Sequence, residues 1–156
     1  MPEDQKQRDE KYAPPSAPLP RQGTILIVED DEFLRRLLVD KFTKEGYAVE
    51  TAENGEQALK QTKKNLPNLM LLDLLMPGMD GFQVLEAIRK DPATKALPVV
   101  VLSNLGEAEH MNRAKALEVE DYLIKAHLFL DEIVQKVDEI IKKRRIPSAK
   151  SQTNIQ

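Results

Sequence analysis

The sequence contains no cysteine among its 156 residues, which excludes disulfide bonds and thiolate metal sites. Its first residues are charged or polar and form no apolar segment, so no secretory signal is expected there. No uninterrupted apolar run is long enough to cross a bilayer. The net charge is −3 and the pI about 5.5, which argues against direct, general binding of nucleic acid. Together these absences favour a cytoplasmic protein that does not insert into a membrane.

Two terminal segments lack the apolar periodicity of a folded domain. Residues 1–22 are charged and then rich in proline, which predicts a disordered leader. Residues 146–156 are polar and predict a flexible tail. The remaining segment, 23–145, is long enough to form one domain with a hydrophobic core.

Inside that segment, short apolar runs alternate with amphipathic stretches. The apolar runs predict strands at residues 24–28, 47–51, 68–72, 98–102 and 121–124. The amphipathic stretches predict five helices, the first with Phe33, Leu38 and Phe42 on one side and the last ending near Lys143. Five β-then-α units are typical of an α/β, doubly wound parallel sheet. Right-handed crossovers favour the order 2-1-3-4-5, in which strands one and three meet at the ligand-binding switch point.

Three carboxylates follow these two neighbouring strands. Glu29 and Asp30 come after strand one and Asp73 after strand three, so all three should reach the same edge of the sheet. Two unit charges about 4 Å apart interact by roughly 4 kcal/mol at an effective dielectric near 20. Such a cluster must bind a cation, hold a proton or meet a basic residue. Oxygen ligands of this kind suit Mg²⁺, with Mn²⁺ as a substitute. The next residue, Asp31, is instead predicted to cap the first helix.

Two further strand ends bring donors to that edge. Strand four ends in the hydroxyl of Ser103, and strand five is followed by the ammonium of Lys125. A carboxylate nucleophile, a divalent cation, a hydroxyl and a fixed cation together suit phosphoryl transfer, with Asp73 forming an acyl phosphate. Because neither a Walker loop nor a Gly-x-Gly-x-x-Gly motif is present, bound ATP is not the obvious donor. The dipeptide Asp80-Gly81, after the Asp73 strand, is predicted to form a turn.

Four motifs stand in a diagnostic order on matching strand ends. They are Ile25-Leu-Ile-Val-Glu29-Asp30-Asp31, Leu71-Leu-Asp73-Leu-Leu-Met-Pro77-Gly-Met-Asp80-Gly81, Val100-Val-Leu-Ser103 and Tyr122-Leu-Ile-Lys125. Each is moderately specific by itself, and their combination is highly specific. Over residues 24–143 the sequence therefore resembles the receiver domain of two-component response regulators, of the stand-alone type. The resemblance implies the flavodoxin-like (βα)5 receiver fold.

The resemblance also implies roles for the acidic residues. Asp73 would be the phosphoacceptor. Glu29 and Asp30 would hold Mg²⁺ together with Asp73, and the backbone carbonyl of Leu75 would complete the protein's share of the coordination. The phosphoryl donor would be a sensor histidine kinase or a histidine phosphotransfer protein. The protein would then be a signalling phosphoacceptor rather than an enzyme with an external substrate.

The remaining implied roles concern a conformational switch. Ser103 would be the switch hydroxyl, Lys125 the phosphate-binding lysine and Tyr122 the aromatic side chain that follows Ser103 toward the phosphoryl group. The face formed by helix four, strand five and helix five would then bind a downstream protein or, on phosphorylation, a second copy of the chain.

Three positions depart from the family pattern, and one of them, Ser103 in place of threonine, is a common variation. Ala126 stands where a proline usually follows the lysine, so the Lys125–Ala126 bond is either trans with a reshaped loop or a strained cis exception. Asn104 stands where the family prefers a very small residue, and it would either narrow access to the site or add a hydrogen bond. Leu75 and Leu105 should flank the mouth of the site and hinder attack of water on an acyl phosphate.

Two other classes of protein stay open. A phosphatase or phosphotransferase of the dehalogenase type also uses an aspartate nucleophile and Mg²⁺, but it needs a second aspartate where this chain has Leu75. The other alternative is a receiver-like interaction module that works without phosphate. The departures from the family pattern at Asn104 and Ala126 are the observations that favour it.

Overall fold

The computed structural model describes the backbone of residues 22–155 and the side chains of residues 22–144. The strands are β1 (Thr24–Val28), β2 (Ala48–Ala52), β3 (Leu69–Leu72), β4 (Val99–Ser103) and β5 (Asp121–Ile124). The helices are α1 (Glu32–Lys44), α2 (Gly55–Lys64), α3 (Gly81–Lys90), α4 (Ala108–Ala116) and α5 (Leu130–Ile155), with a 3-10 turn at Lys125–His127. Apart from residue 22, the predicted leader lies outside the described residues.

The strands form one parallel sheet in the order β2-β1-β3-β4-β5, which confirms the predicted α/β topology. Its register aligns the strand ends that carry the candidate site. Val28 pairs with Leu72, so the residues that follow β1 and β3 emerge side by side. Ser103 pairs with Ile124, so the residues that follow β4 and β5 do the same. The carboxyl edge of the sheet therefore collects all four segments.

Helices cover both faces because the strand side chains alternate between apolar layers. Ile25 and Ile27 pack with buried side chains of α1 and α5, whereas Leu26 and Val28 pack with those of α2 and α3. A third cluster joins β4 to α3 and α4, and it begins at Leu74, directly after Asp73. β1, β3 and β4 are thus buried on both sides, as their nearly continuous apolar sequences predict.

The expected position of Phe33 in α1 is wrong. Leu38 and Phe42 are fully buried, but Phe33 is 72% exposed. The buried side of the helix follows residues spaced by four, from Leu34 to Leu38 to Phe42, and Phe33 lies off that stripe because it is five residues before Leu38.

The predicted end of the last helix is also wrong. α5 continues from Leu130 to Ile155, beyond the expected end near Lys143. The backbone of the expected tail, 146–156, is therefore helical as far as Ile155. Its flexibility stays a prediction. Over the described residues, none of the helices combines the length and the apolar character needed to cross a bilayer.

Candidate functional site

We call Glu29, Asp30 and Asp73 the acidic half of the site. Glu29 is 2% exposed and Asp73 is 4% exposed, whereas Asp30 faces solvent. One carboxylate oxygen of each residue lies within 4.8 Å of the other two. The predicted convergence at this edge of the sheet is therefore present in the structure. Three negative charges so close together, two of them shielded from water, create a strong local demand for a cation.

Lys125 meets part of that demand. Its Nζ lies 2.8 Å from Glu29 Oε1 and 3.2 Å from Asp73 Oδ2. Lys125 enters the site because it follows β5 directly, and its side chain is 19% exposed. The ammonium thus bridges two carboxylates that come from two different strands.

Burial and charge change the proton affinity of this pair. Burial raises the pKa of Glu29 from 4.5 to about 7; the hydrogen bond from Lys125 opposes that rise and the charge of Asp73 adds to it. Burial lowers the pKa of Lys125, but the hydrogen bond to Glu29 and the charges of Asp73 and Glu29 outweigh it, so the net change is upward. Lys125 is therefore a permanent cation, while Glu29 can exchange a proton near neutral pH.

Backbone N–H groups orient the two buried carboxylates. The N–H of Leu75 donates to Asp73 Oδ1 at 3.1 Å, and the N–H of Asp31 donates to Glu29 Oε2 at 3.1 Å. Asp31 itself accepts from the N–H of Leu34 at 3.1 Å, which confirms its predicted role as the cap of α1. The backbone of Leu75 thus lies against Asp73, and coordination through its carbonyl stays a prediction.

Sequence reasoning missed Arg35, whose guanidinium hydrogen-bonds to the backbone of the acidic half. Its Nη1 donates to the carbonyl oxygen of Glu29 at 2.9 Å and to that of Asp30 at 3.4 Å, and its Nη2 pairs with Glu53 Oε1 at 3.2 Å. The only available signal was an arginine in the helix that follows the acidic motif, and a solvated arginine is the ordinary expectation there. The guanidinium fixes the loop from which two carboxylates project.

Gly81 was predicted only as a turn residue, but the structure shows that its position leaves no room for a side chain. It is the first residue of α3, and its N–H donates to the carbonyl oxygen of Leu74 at 3.0 Å. A Cβ at this position would lie 2.5 Å from the carbonyl oxygen of Asp73 and 2.6 Å from Leu74 Cα. Asp80 caps α3 through a reciprocal pair of hydrogen bonds with Gln83. Only glycine lets the helix approach the backbone of the candidate phosphoacceptor this closely.

We call residues 103–105 and 122–126 the switch half of the site. Ser103 is fully buried, and its Oγ accepts a hydrogen bond from the N–H of Leu105 at 3.2 Å. The hydroxyl of Tyr122 donates to the carbonyl oxygen of Leu105 at 2.5 Å. Burial, followed by the charges of Glu107 and Asp73, raises the pKa of the Tyr122 phenol, so the group stays a donor. Tyr122 therefore contacts the loop that Ser103 begins.

Two of the three departures from the family pattern, Asn104 and Ala126, meet in the structure. The Lys125–Ala126 peptide bond is trans, and the chain continues in the 3-10 turn at Lys125–His127. Of the two alternatives left open by the sequence, the trans bond with a reshaped loop is the one observed. Oδ1 of Asn104 accepts a hydrogen bond from the backbone N–H of Ala126 at 3.1 Å. Asn104 thus adds a hydrogen bond between the two loops of the switch half.

The fold and the site define a doubly wound α/β protein with a charged pocket at its topological switch point. The chain belongs to the response regulator receiver domain family, whose model matches residues 25–138. It is thus a receiver domain of the two-component type, and its general role is phosphorylation-dependent signalling. Receiver domains bind Mg²⁺ at an acidic pocket and interact with histidine kinases or phosphotransfer proteins and with downstream effectors.

Similar proteins support this assignment. Response regulator PleD of Caulobacter vibrioides is 47% identical over 81 residues, which cover 52% of this chain and 18% of PleD. A probable transcriptional regulator, ycf27, of Pyropia yezoensis is 40% identical over 103 residues, which cover 65% of this chain and 40% of that protein. The chain therefore spans less than half the length of these two curated relatives.

Solved structures match more completely. A putative response regulator from Chloroflexus aurantiacus J-10-fl has a TM-score of 0.71 and 35% identity, covering 77% of this chain and 98% of its own. The Mn²⁺-bound form of response regulator Rcp1 has a TM-score of 0.68 and 29% identity, covering 74% of this chain and 91% of its own.

Proposed function

We propose that Asp73 accepts a phosphoryl group from a phosphohistidine of a sensor histidine kinase or histidine phosphotransfer protein. The observation that carries this proposal is the bridge from Lys125 to Glu29 and Asp73, at 2.8 and 3.2 Å, inside a cluster of three carboxylates. A half-buried lysine placed 3.2 Å from an almost fully buried carboxylate is positioned to neutralise an anion formed on that carboxylate.

The bond that forms and the bond that breaks involve only Asp73 and the donor histidine. A carboxylate oxygen of Asp73 attacks the phosphorus atom as the phosphorus–nitrogen bond to the donor histidine breaks. The imidazole takes the electron pair of that bond, and an acyl phosphate forms on Asp73. Lys125 exchanges part of its contact with Asp73 for a phosphoryl oxygen. The hydroxyl of Ser103 donates to another phosphoryl oxygen.

The acidic half fits a hard divalent cation. Its three carboxylates offer oxygens within 4.8 Å of one another, and ligand oxygens on opposite sides of such a cation lie about 4–5 Å apart. Glu29, Asp30, Asp73 and the carbonyl of Leu75 would hold Mg²⁺, which would neutralise repulsion between Asp73 and the incoming phosphoryl group. The Mn²⁺-bound relative Rcp1 supports Mn²⁺ as a substitute.

The output of the domain is a change in its surface. Phosphorylation adds about −1.5 to −2 charges, so Ser103 and its loop are drawn toward the phosphoryl group. Tyr122 follows because its hydroxyl is bonded to the carbonyl of Leu105 in the same loop. The face made by α4, β5 and α5 then shifts in population toward a form that binds a downstream protein or a second copy of the chain. The domain acts as a phosphoacceptor and turns over no external substrate.

Intact mass measurement after incubation with acetyl phosphate and Mg²⁺ tests this function. We expect one added phosphoryl group on the wild-type chain and none on Asp73→Asn. The matched control is Asp40→Asn, which changes an aspartate on the exposed side of α1 and should leave the modification unchanged. An unmodified wild-type chain would favour the phosphate-independent interaction module. Sustained hydrolysis of added phosphomonoesters would favour the phosphatase instead.

A further inference from the structure

The hydrogen bond between Asn104 and Ala126 joins two loops next to the groups that would hold a phosphoryl oxygen. Asn104 follows Ser103 in the chain, and Ala126 follows Lys125. We propose that Asn104 is a positioning residue: its side chain fastens the Ser103 loop to the Lys125 turn and so sets the spacing of hydroxyl and ammonium. This inference rests on the proposed function of the same site.

The position of the bond gives it this role. The pairing between β4 and β5 ends at Ser103–Ile124, so the backbones of the two segments that follow these strands are no longer paired where the site begins. Beyond that point the Tyr122 hydroxyl holds the carbonyl of Leu105, and Asn104 holds the N–H of Ala126. These two side-chain hydrogen bonds connect the segments beyond the end of the backbone pairing, and the Asn104 bond is the one beside Lys125.

The bond depends on the departures from the family pattern at Asn104 and at Ala126 together. Ala126 can donate because it has a backbone N–H, which a proline lacks. Asn104 can accept because it has a side-chain carbonyl, which a very small residue such as alanine or glycine lacks. Asn104 is solvent-exposed, and its side-chain oxygen links it to the Lys125 turn through the Ala126 N–H. The two residues therefore form one functional unit.

The proposal predicts a change in phosphoryl binding without a matching change in folding. A hydrogen bond of this kind contributes a modest net free energy, which corresponds to a change of about three- to tenfold in an equilibrium constant. In the full chain, Asn104→Ala should weaken binding of beryllofluoride with Mg²⁺ by that factor. It should slow phosphorylation of Asp73 by phosphoramidate to a similar extent. The midpoint of thermal unfolding should stay within about 2 °C of wild type, since an exposed hydrogen bond contributes little to stability.

A distant asparagine provides the matched control. Asn65 is exposed at the end of α2, and Asn65→Ala makes the same chemical change away from the two loops and from the α4, β5 and α5 face. It should leave beryllofluoride affinity and the phosphorylation rate at the wild-type values. Equal losses in Asn104→Ala and Asn65→Ala would overturn the proposal, because the effect would then not depend on the Ala126 contact.

A double-mutant cycle tests the contact itself. Ala126→Pro removes the donor, so adding Asn104→Ala in that background should change beryllofluoride affinity less than twofold. A further three- to tenfold loss there would overturn the proposal. Amide hydrogen exchange supplies a measurement that does not need the proline variant: the Ala126 amide should exchange at least threefold faster in Asn104→Ala. Unchanged exchange would overturn the proposal as well.

The outcomes separate this inference from the proposed function. A wild-type chain that is phosphorylated, beside an Asn104→Ala chain with wild-type or higher rate and affinity, overturns only the positioning role. A wild-type chain that phosphoramidate does not modify overturns both.

Discussion

The two halves of the site are held in different ways. The acidic half projects from paired, fully buried strands, and its carboxylates are 2% and 4% exposed at Glu29 and Asp73. In the switch half, Ser103 and the segment from Tyr122 to Ile124 are paired within the sheet, whereas the loops that follow the last pair, Ser103–Ile124, are joined by separate hydrogen bonds from Tyr122 and Asn104. Lys125, at the start of one of these loops, contacts Glu29 and Asp73 of the acidic half. The difference indicates that the sheet holds the acidic half in place, whereas the loops of the switch half, which are proposed to move, are held by a few individually weak hydrogen bonds.

The largest expected effect tests the buried charge of the acidic half. The pKa of Glu29 is raised to about 7 in the folded chain, against 4.5 for the ordinary group. The folded state therefore keeps a proton that the unfolded state releases, so the resulting stability is complete below about pH 4.5 and is lost as the pH rises to about 7. In the presence of EDTA, the contribution of Glu29 to the free energy of unfolding, measured as the difference between the wild-type chain and Glu29→Gln, should fall by on the order of 3 kcal/mol across that window.

Two controls sharpen this pH dependence. Glu29→Gln should flatten the profile, because the titrating group is gone. Mg²⁺ needs the deprotonated carboxylate, so its affinity for the wild-type chain should rise with pH up to about 7 and then level off. Denaturant unfolding and calorimetric titration with Mg²⁺ provide the measurements. A wild-type profile that runs parallel to that of Glu29→Gln between pH 4.5 and 7 would contradict the burial argument.

The same substitution at two glycines compares the rigidity of the halves. Gly81→Ala places a Cβ 2.5 Å from the carbonyl oxygen of Asp73, so it should destabilise the fold by about 1–3 kcal/mol. Gly106→Ala, in the loop after Leu105, meets only Ile124 Cδ1 at 3.8 Å. It should be neutral or stabilising by up to about 1 kcal/mol. Urea unfolding of both variants checks the contrast, and equal losses would show that the switch half is packed as tightly as the acidic half.

Two adjacent arginines test the support of the acidic loop. Arg35→Met removes donors to the carbonyl oxygens of Glu29 and Asp30 and should cost about 1–2 kcal/mol of stability. It should also weaken Mg²⁺ binding about three- to tenfold, because the ligand loop loses its anchor. Arg36→Met breaks only a solvent-exposed pair with Glu32 and should change neither quantity by a comparable amount. The idea fails if both variants bind Mg²⁺ equally well.

The smallest expected effect concerns the exposed rim of the site. Leu75 is 55% exposed, and its apolar side chain should hinder water approaching the acyl phosphate. Leu75→Asn should therefore speed loss of the phosphoryl group from Asp73 about threefold, a barrier change of roughly 0.7 kcal/mol. Leu66→Asn is the control, since Leu66 is 57% exposed in the connection between α2 and β3. Intact mass measurement over time after removal of the donor gives both rates, and an unchanged rate in Leu75→Asn would contradict the shielding.

The element pattern was predictable because it depends on local periodicity. Apolar runs marked the five strands, and Asp31 marked a helix start where the structure shows its cap. The predictions failed where the answer depends on tertiary packing or on where a helix ends, which local periodicity does not reveal. Phe33 reads as part of an apolar helix side, but the sheet covers only the stripe spaced by four residues that includes Leu38. The end of α5 was set too early because polarity alone does not end a helix.

The sequence by itself determined the parallel five-stranded order and the convergence of Glu29, Asp30, Asp73, Ser103 and Lys125, because parallel strands deliver the residues that follow them to one edge. Only the tertiary structure decided that Arg35 anchors the acidic loop, that Gly81 lies against the backbone of Asp73, and that Asn104 bonds to Ala126. Those contacts join residues whose separation is set by strand register and loop conformation, and neither quantity is encoded in the local pattern of the chain.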